Sequence, residues 1–270
     1  MSVKAEHHLV EREVANRVAF LERKVPKWVS IVGVLVVLVL WEITSRSGLV
    51  SALYLPAPSA ILLTGWDMVL SGELGRSLVA SLYRIVLGFL VGGVAGILLG
   101  LLMGFSKVAG AVGNPIIYSI YAIPKIALLP LFILWLGIGE VSKVTIIALG
   151  VFFPVVINTY VGVSNVDPLL VKVAVSFKTN RLNVIRKVIL PAALPTIFAG
   201  LKLAAGMSLL LLVSAEMIAA KEGIGALILH YGDLMLTTKL MVGVLTLSIL
   251  GLIFNRGLDW LEKKLLPWQL

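Results

Sequence analysis

Two ionisable residues lie inside long apolar runs and set the chemistry open to this chain. Lys125 falls between Pro124 and Pro130 in the run 116–136, and Glu216 falls near the end of the run 194–219. A free charge at the centre of a bilayer costs at least about 2.5 kcal/mol on insertion scales, so each must face protein or water. Lys125 has two readings: an ammonium beside proline-broken backbone, lining a solute path that favours an anion, or a lysine that snorkels or pairs structurally. Glu216 reads either as part of an external gate or as a packing residue bonded to a neighbouring hydroxyl. Lys202, a little over one turn into the same run, reads as a snorkelling structural lysine. Catalysis has little to work with. His7 and His8 sit in the N-terminal tail, His230 sits in an external loop, and there is no cysteine, so no intramembrane histidine is available to serve a nucleophile or a metal. No Gly-x4-Gly-Lys-Ser/Thr loop occurs, so ATP cannot be cradled here and no cofactor is expected; any ATP drive belongs to a separate subunit.

The elements that must position these groups are membrane helices. The 270 residues are 59% hydrophobic and 14% charged, against roughly 45–50% apolar in soluble domains. Six charge-poor runs, 28–44, 85–105, 116–136, 144–163, 194–219 and 240–254, each approach the length of a span. The expected fold class is therefore an all-α integral membrane protein with about six transmembrane helices: a tail over 1–27, then a single transmembrane domain over 28–270. The polar and charged stretch before the first run, with no small-residue cleavage site after it, predicts a retained anchor.

Orientation follows from charge. With the N-terminus inside, Lys4, Arg12, Arg17, Arg23, Lys24, Lys27, Lys107, Lys172, Lys178, Arg181, Arg186, Lys187, Arg256, Lys263 and Lys264 fall on the cytoplasmic side. Arg46, Arg76, Lys143, Lys221, Lys239 and the membrane-edge Arg84 fall outside. The positive-inside rule then predicts both termini in the cytoplasm. Topology thus explains the formal charge of +9 better than nucleic-acid binding does.

Two further patterns stand out. Gly88, Gly92, Gly96, Gly100 and Gly104 recur every fourth residue, a face against which another helix can pack closely. The segment 45–81 is the longest external stretch, with Leu55-Pro56-Ala57-Pro58-Ser59 as a turn before a short surface helix. The cytoplasmic loop 164–193 predicts two short helices. Asp167 caps the first, with Pro168 at its start and Leu169, Leu170, Val173 and Phe177 at helical spacing. Asn180 caps the second, which runs over 181–189 until Leu190-Pro191 stops it. Such a pair beneath a bundle suits docking.

This loop resembles that of the permeases of binding-protein-dependent ABC importers, and within them the nitrate, sulfonate and taurine type. The family pattern is Glu-Ala-Ala, three residues, Gly, nine residues, Ile, one residue, Leu-Pro. Set on Leu190-Pro191, it puts Lys172, Val173 and Ala174 at Glu-Ala-Ala, Lys178 at the glycine and Val188 at the isoleucine; Ala174, Leu190 and Pro191 match. The stretches Leu55-Pro-Ala-Pro-Ser59, Ile123-Pro-Lys-Ile-Ala-Leu-Leu-Pro-Leu131, Trp135-Leu-Gly-Ile-Gly139, Pro191-Ala-Ala-Leu-Pro195 and Ala215-Glu-Met-Ile218 are similar to that subfamily too. The resemblance implies a type I importer fold in a bacterial or archaeal inner membrane. It also implies two ATPase subunits that receive the loop (Asp167, Lys172, Val173, Ala174, Phe177, Lys178, Arg181, Leu190, Pro191), a second permease copy, and an external solute-binding protein. Lys172 reverses the charge of the motif's acid and implies either a compensated groove on a dedicated ATPase, the simpler reading, or altered coupling. Lys178 in place of glycine implies backbone strain or a turn shifted onto Asn180. Other readings are a secondary transporter or channel, and a membrane enzyme.

Overall fold

The structure, a computed structural model, describes residues 26–269; the expected tail lies almost wholly outside them. Two compact units divide the chain, Met1–Ser59 and Ala60–Leu270. In the first, helix α1 (Lys27–Arg46) carries no charge from Trp28 to Trp41. Its last turns hold the turn that follows. Glu42 accepts from the Ser59 backbone N–H at 3.0 Å and from Ser59 Oγ at 2.7 Å, and Ser45 Oγ donates to the Leu55 carbonyl at 2.8 Å. One orphan N–H at the start of helix α2 (Pro58–Leu70) is thereby satisfied by a carboxylate.

The second unit is built around α3 (Glu73–Phe105), α6 (Glu140–Ser164), α8 (Arg181–Ala219) and α10 (Thr237–Leu265), each long and apolar enough to cross a membrane. Between α3 and α6 come α4 (Lys107–Tyr121) and α5 (Leu129–Leu136), joined through a 3₁₀ turn at Lys125–Leu128. The loop helix α7 (Pro168–Ser176) precedes α8, and α9 (Ile224–Asp233) precedes α10.

Close packing of α3 on α6 determines the rest. A methyl placed on Gly88 would lie 2.6 Å from Ile147, on Gly96 2.9 Å from Val155, on Gly100 2.5 Å from Thr159, and on Gly104 2.6 Å from Val163; Gly92 faces the Ala148 carbonyl. All five glycines therefore meet α6. Their partners rise with them in number, so α3 and α6 run parallel. The opposite side of α6 is taken by α8, antiparallel: Gly150 meets Leu211, and Gly162 meets Ala193. Between the helices, Ile85, Leu129, Ile146, Ile147, Leu211 and Leu212 form one buried cluster. Small residues let backbones approach where lipid supplies no hydrophobic drive.

The parallel pair has a topological consequence. Because α3 finishes at one end of the bundle and α6 starts at the other, α4 and α5 together must carry the chain across. They do so bent by 83°, so the run 116–136 is a span broken at its prolines and not one straight helix. Pro124 supplies no N–H and pushes Ile123 away from helical backbone, so the ladder breaks there. The second unit thus holds four continuous spans and one broken one.

A second correction concerns Leu190-Pro191, which does not end the second loop helix. The chain continues through a π-helical turn, Ile185–Ile189, directly into the long helix. A proline ring collides with the carbonyl four residues back in a regular α-helix, and the wider turn relieves that collision with Lys187. The long helices also exceed the expected runs, with α3 beginning at Glu73 and shortening the external segment. Lys202 does not snorkel free: its ammonium pairs with Asp259 and Glu262 of α10, both at 2.6 Å.

Candidate functional site

Lys125 sits in the break of the interrupted span. Its side chain is 7% exposed and folds back so that Nζ donates to the Tyr121 carbonyl, one of the unpaired carbonyls at the end of α4. Such a carbonyl carries the negative end of the helix dipole. The ammonium also stands 4.4 Å from the Tyr121 ring centre and 5.0 Å from that of Phe153 on α6, within cation–π range. None of these partners is charged. The positive charge is therefore held by dipoles and ring faces, an arrangement that leaves it able to attract an anion.

Glu216 has a different environment. At 0% exposure, its carboxylate accepts from Ser81 Oγ at 2.8 Å and 2.9 Å, from Arg84 Nη1 at 2.7 Å and from the Gly225 N–H at 2.8 Å. Arg84 also grips Glu140 with Nε at 2.6 Å and Nη2 at 2.8 Å, and its Nη1 reaches the Glu222 carbonyl at 2.6 Å. Lys143 completes the set at 2.7 Å from Glu140. Two cations and two anions thus form a neutral network joining α3, α6, α8 and the strap before α9. Gly223, at φ +136°, lets the strap lie against the Glu216 carboxyl, where any side chain would collide.

Sequence reasoning found Glu216 and a hydroxyl partner for it but left Arg84 as a membrane-edge charge. Ser81, Glu140, Lys143 and Gly223 were also missed. The available signal was an arginine abutting the second apolar run, which demands a partner as much as Lys125 does. Nearby, Tyr231 on α9 donates to Glu73 and lies beneath Lys239; burial pushes its phenol above the ordinary value, keeping it a neutral donor.

At the opposite end, Asp167 Oδ1 accepts from the Leu169 N–H at 2.8 Å and Asn180 Oδ1 from the Asn183 N–H at 2.8 Å. Lys172, Val173, Phe177 and Arg181 are exposed, and Ala174 is half-buried. Lys178 adopts φ +54°, with its N–H on the Val175 carbonyl at 2.9 Å and the Thr179 N–H on the Ala174 carbonyl at 3.4 Å. That is a Schellman turn with lysine where glycine is favoured. Of the two outcomes expected for this position, left-handed strain is the one present.

The family of binding-protein-dependent transport system inner membrane components matches residues 92–267. The chain belongs to this family. It is 41% identical over 234 residues, 87% of this chain and 85% of the relative, to SsuC of Bacillus subtilis (strain 168), named for aliphatic sulfonates transport. It is 34% identical over 239 residues, 87% of each chain, to the taurine transport system permease protein TauC of Escherichia coli (strain K12). In structure it is similar to the inward-facing MetNI methionine ABC transporter, with TM-score 0.62 at 19% identity over 73% of this chain and 97% of that one, a likeness of fold. The chain is thus a multi-pass inner-membrane permease subunit of an ABC importer, not an enzyme in itself. Membership favours the importer over the secondary transporter or channel, and it implies an ATPase and a binding protein as partners.

Proposed function

We propose that this permease forms the membrane path for a small organic anion of the sulfonate class, handed over by an external binding protein. Two copies of the chain and two ATPase subunits make up the assembly, with both termini in the cytoplasm of a bacterium or archaeon. The orientation rests on fifteen basic residues against five clearly external ones. Val173, Ala174 and Phe177 on α7 dock into the ATPase, and the motion of that subunit reaches the bundle through the unbroken helix from Arg181 to Ala219.

The observation that carries the solute class is Lys125: a buried ammonium at the break of a bent span, held by a carbonyl and two rings and, among the described residues, countered by no anion in its contacts. Relatives named for aliphatic sulfonates and taurine support the same class. A passing sulfonate exchanges part of its water for the ammonium, which the ring faces hold in place, while an uncharged solute gains little. The test is Lys125→Met, which keeps length and removes charge. In proteoliposomes the assembled variant should hydrolyse ATP in response to the binding protein yet take up sulfonate more slowly, with Lys125→Arg restoring part of the rate. Unchanged uptake by fully assembled Lys125→Met would remove the charge from the path.

A further inference from the structure

Neither solute passage nor ATPase docking accounts for a cavity of about 410 Å³ between the loop helices and the ends of α3 and α6. Phe105 and Val163 close it from the bundle, Val175 from α7, and Ile185 and Ile189 from the π-helical turn; Arg181 stands at its rim. Its size is that of a ligand site. Apart from Arg181 and Thr179 the lining side chains are apolar, a wall that suits an acyl chain.

We propose that this cavity holds an anionic phospholipid, with acyl chain against the apolar wall and phosphate at Arg181. Two observations converge on a lipid. Position comes first: the cavity lies where α3 and α6 end, at Phe105 and Ser164, the depth at which spans meet headgroups. Charge comes second. The loop 164–193 carries Lys172, Lys178, Arg181, Arg186 and Lys187 against Asp167 alone, five cations less one anion or a net +4, and such clusters gather anionic headgroups. A lipid in this place would brace the loop against the bundle, so the leaflet's composition would set how firmly α7 follows the long helix.

The experiment uses the permease–ATPase complex in nanodiscs, with photoactivatable phosphatidylglycerol or phosphatidylcholine carrying the same labelled acyl chain. Phosphatidylglycerol should label peptides within 163–189 more than phosphatidylcholine does. Arg181→Gln should lower that labelling roughly fivefold, the factor expected for one basic residue near the surface. Arg181→Lys should retain most of it, and Val175→Trp, which fills the cavity without touching the charge, should abolish it. Unchanged labelling of the outer faces of α3 and α10 confirms that each variant is folded. Equal labelling by both lipids, or insensitivity to Arg181→Gln, would reduce the cavity to ordinary annular contact and overturn the proposal. The permease alone is labelled in parallel, and labelling seen there but lost in the complex would assign the cavity to the ATPase instead. None of these outcomes depends on which solute is carried.

Discussion

Arg84 and Glu216, 132 residues apart, meet through a 2.7 Å hydrogen bond that solvent reaches at neither end. With Ser81, Glu140 and Lys143 they fasten three spans at the end of the bundle opposite the loop 164–193. Breaking a buried pair by removing one partner costs about 3–5 kcal/mol, because the other charge is left stranded. Glu216→Gln should therefore lower the thermal midpoint of the detergent-purified permease by several degrees, and Glu216→Leu by more. Combining Glu216→Leu with Arg84→Met should cost less than the sum of the single changes. Strict additivity in that cycle would mean that the two residues act independently.

The contact between α3 and α6 allows a sharper comparison. Gly100→Ala puts a methyl 2.5 Å from Thr159 Cβ and 2.8 Å from the Val156 carbonyl, whereas Gly206→Ala meets nothing within 4 Å. Overpacking of this kind costs roughly 1–3 kcal/mol. Thermal unfolding should single out Gly100→Ala as the damaging change and leave Gly206→Ala at or above the parent; equal midpoints would contradict the packing.

Lys178 pays a backbone penalty that glycine would not. Holding a side-chain residue in the left-handed region costs roughly 1 kcal/mol, so Lys178→Gly should slow amide hydrogen exchange across 168–179. Faster exchange in that segment would show that the lysine side chain contributes more than its backbone costs.

In the proposed assembly the ATPase docks on the exposed face of α7. Val173→Asp combined with Ala174→Asp should leave the permease inserted, since neither side chain is buried in the bundle, yet abolish co-purification of the ATPase. Retention of the ATPase by this double variant would move the docking surface elsewhere.

How much of this was legible beforehand varied with the range of the interaction. The caps at Asp167 and Asn180 and the four-residue register of the glycines are local, and their positions in the structure follow from spacing. The bend between α4 and α5 was half legible: Pro124 announced a break, but the 83° angle comes from packing Leu129 and Lys125 against α6. The turn at Ile185–Ile189 was hidden because proline ordinarily ends a helix, whereas here a wider turn carries the chain past Pro191 without a break. Least legible was the Arg84 network, whose members come from positions 81 to 225. No local pattern announces partners so distant, and their pairing depends on the parallel run of α3 and α6.

The central claim is that this permease, coupled to an ATPase, moves a sulfonate inward. Its most direct test is uptake of radiolabelled taurine into proteoliposomes holding the permease and its ATPase, with binding protein outside and nucleotide inside. Accumulation above the external concentration with ATP, absent with ADP or without binding protein, is the predicted result; equal entry under all three conditions would contradict it.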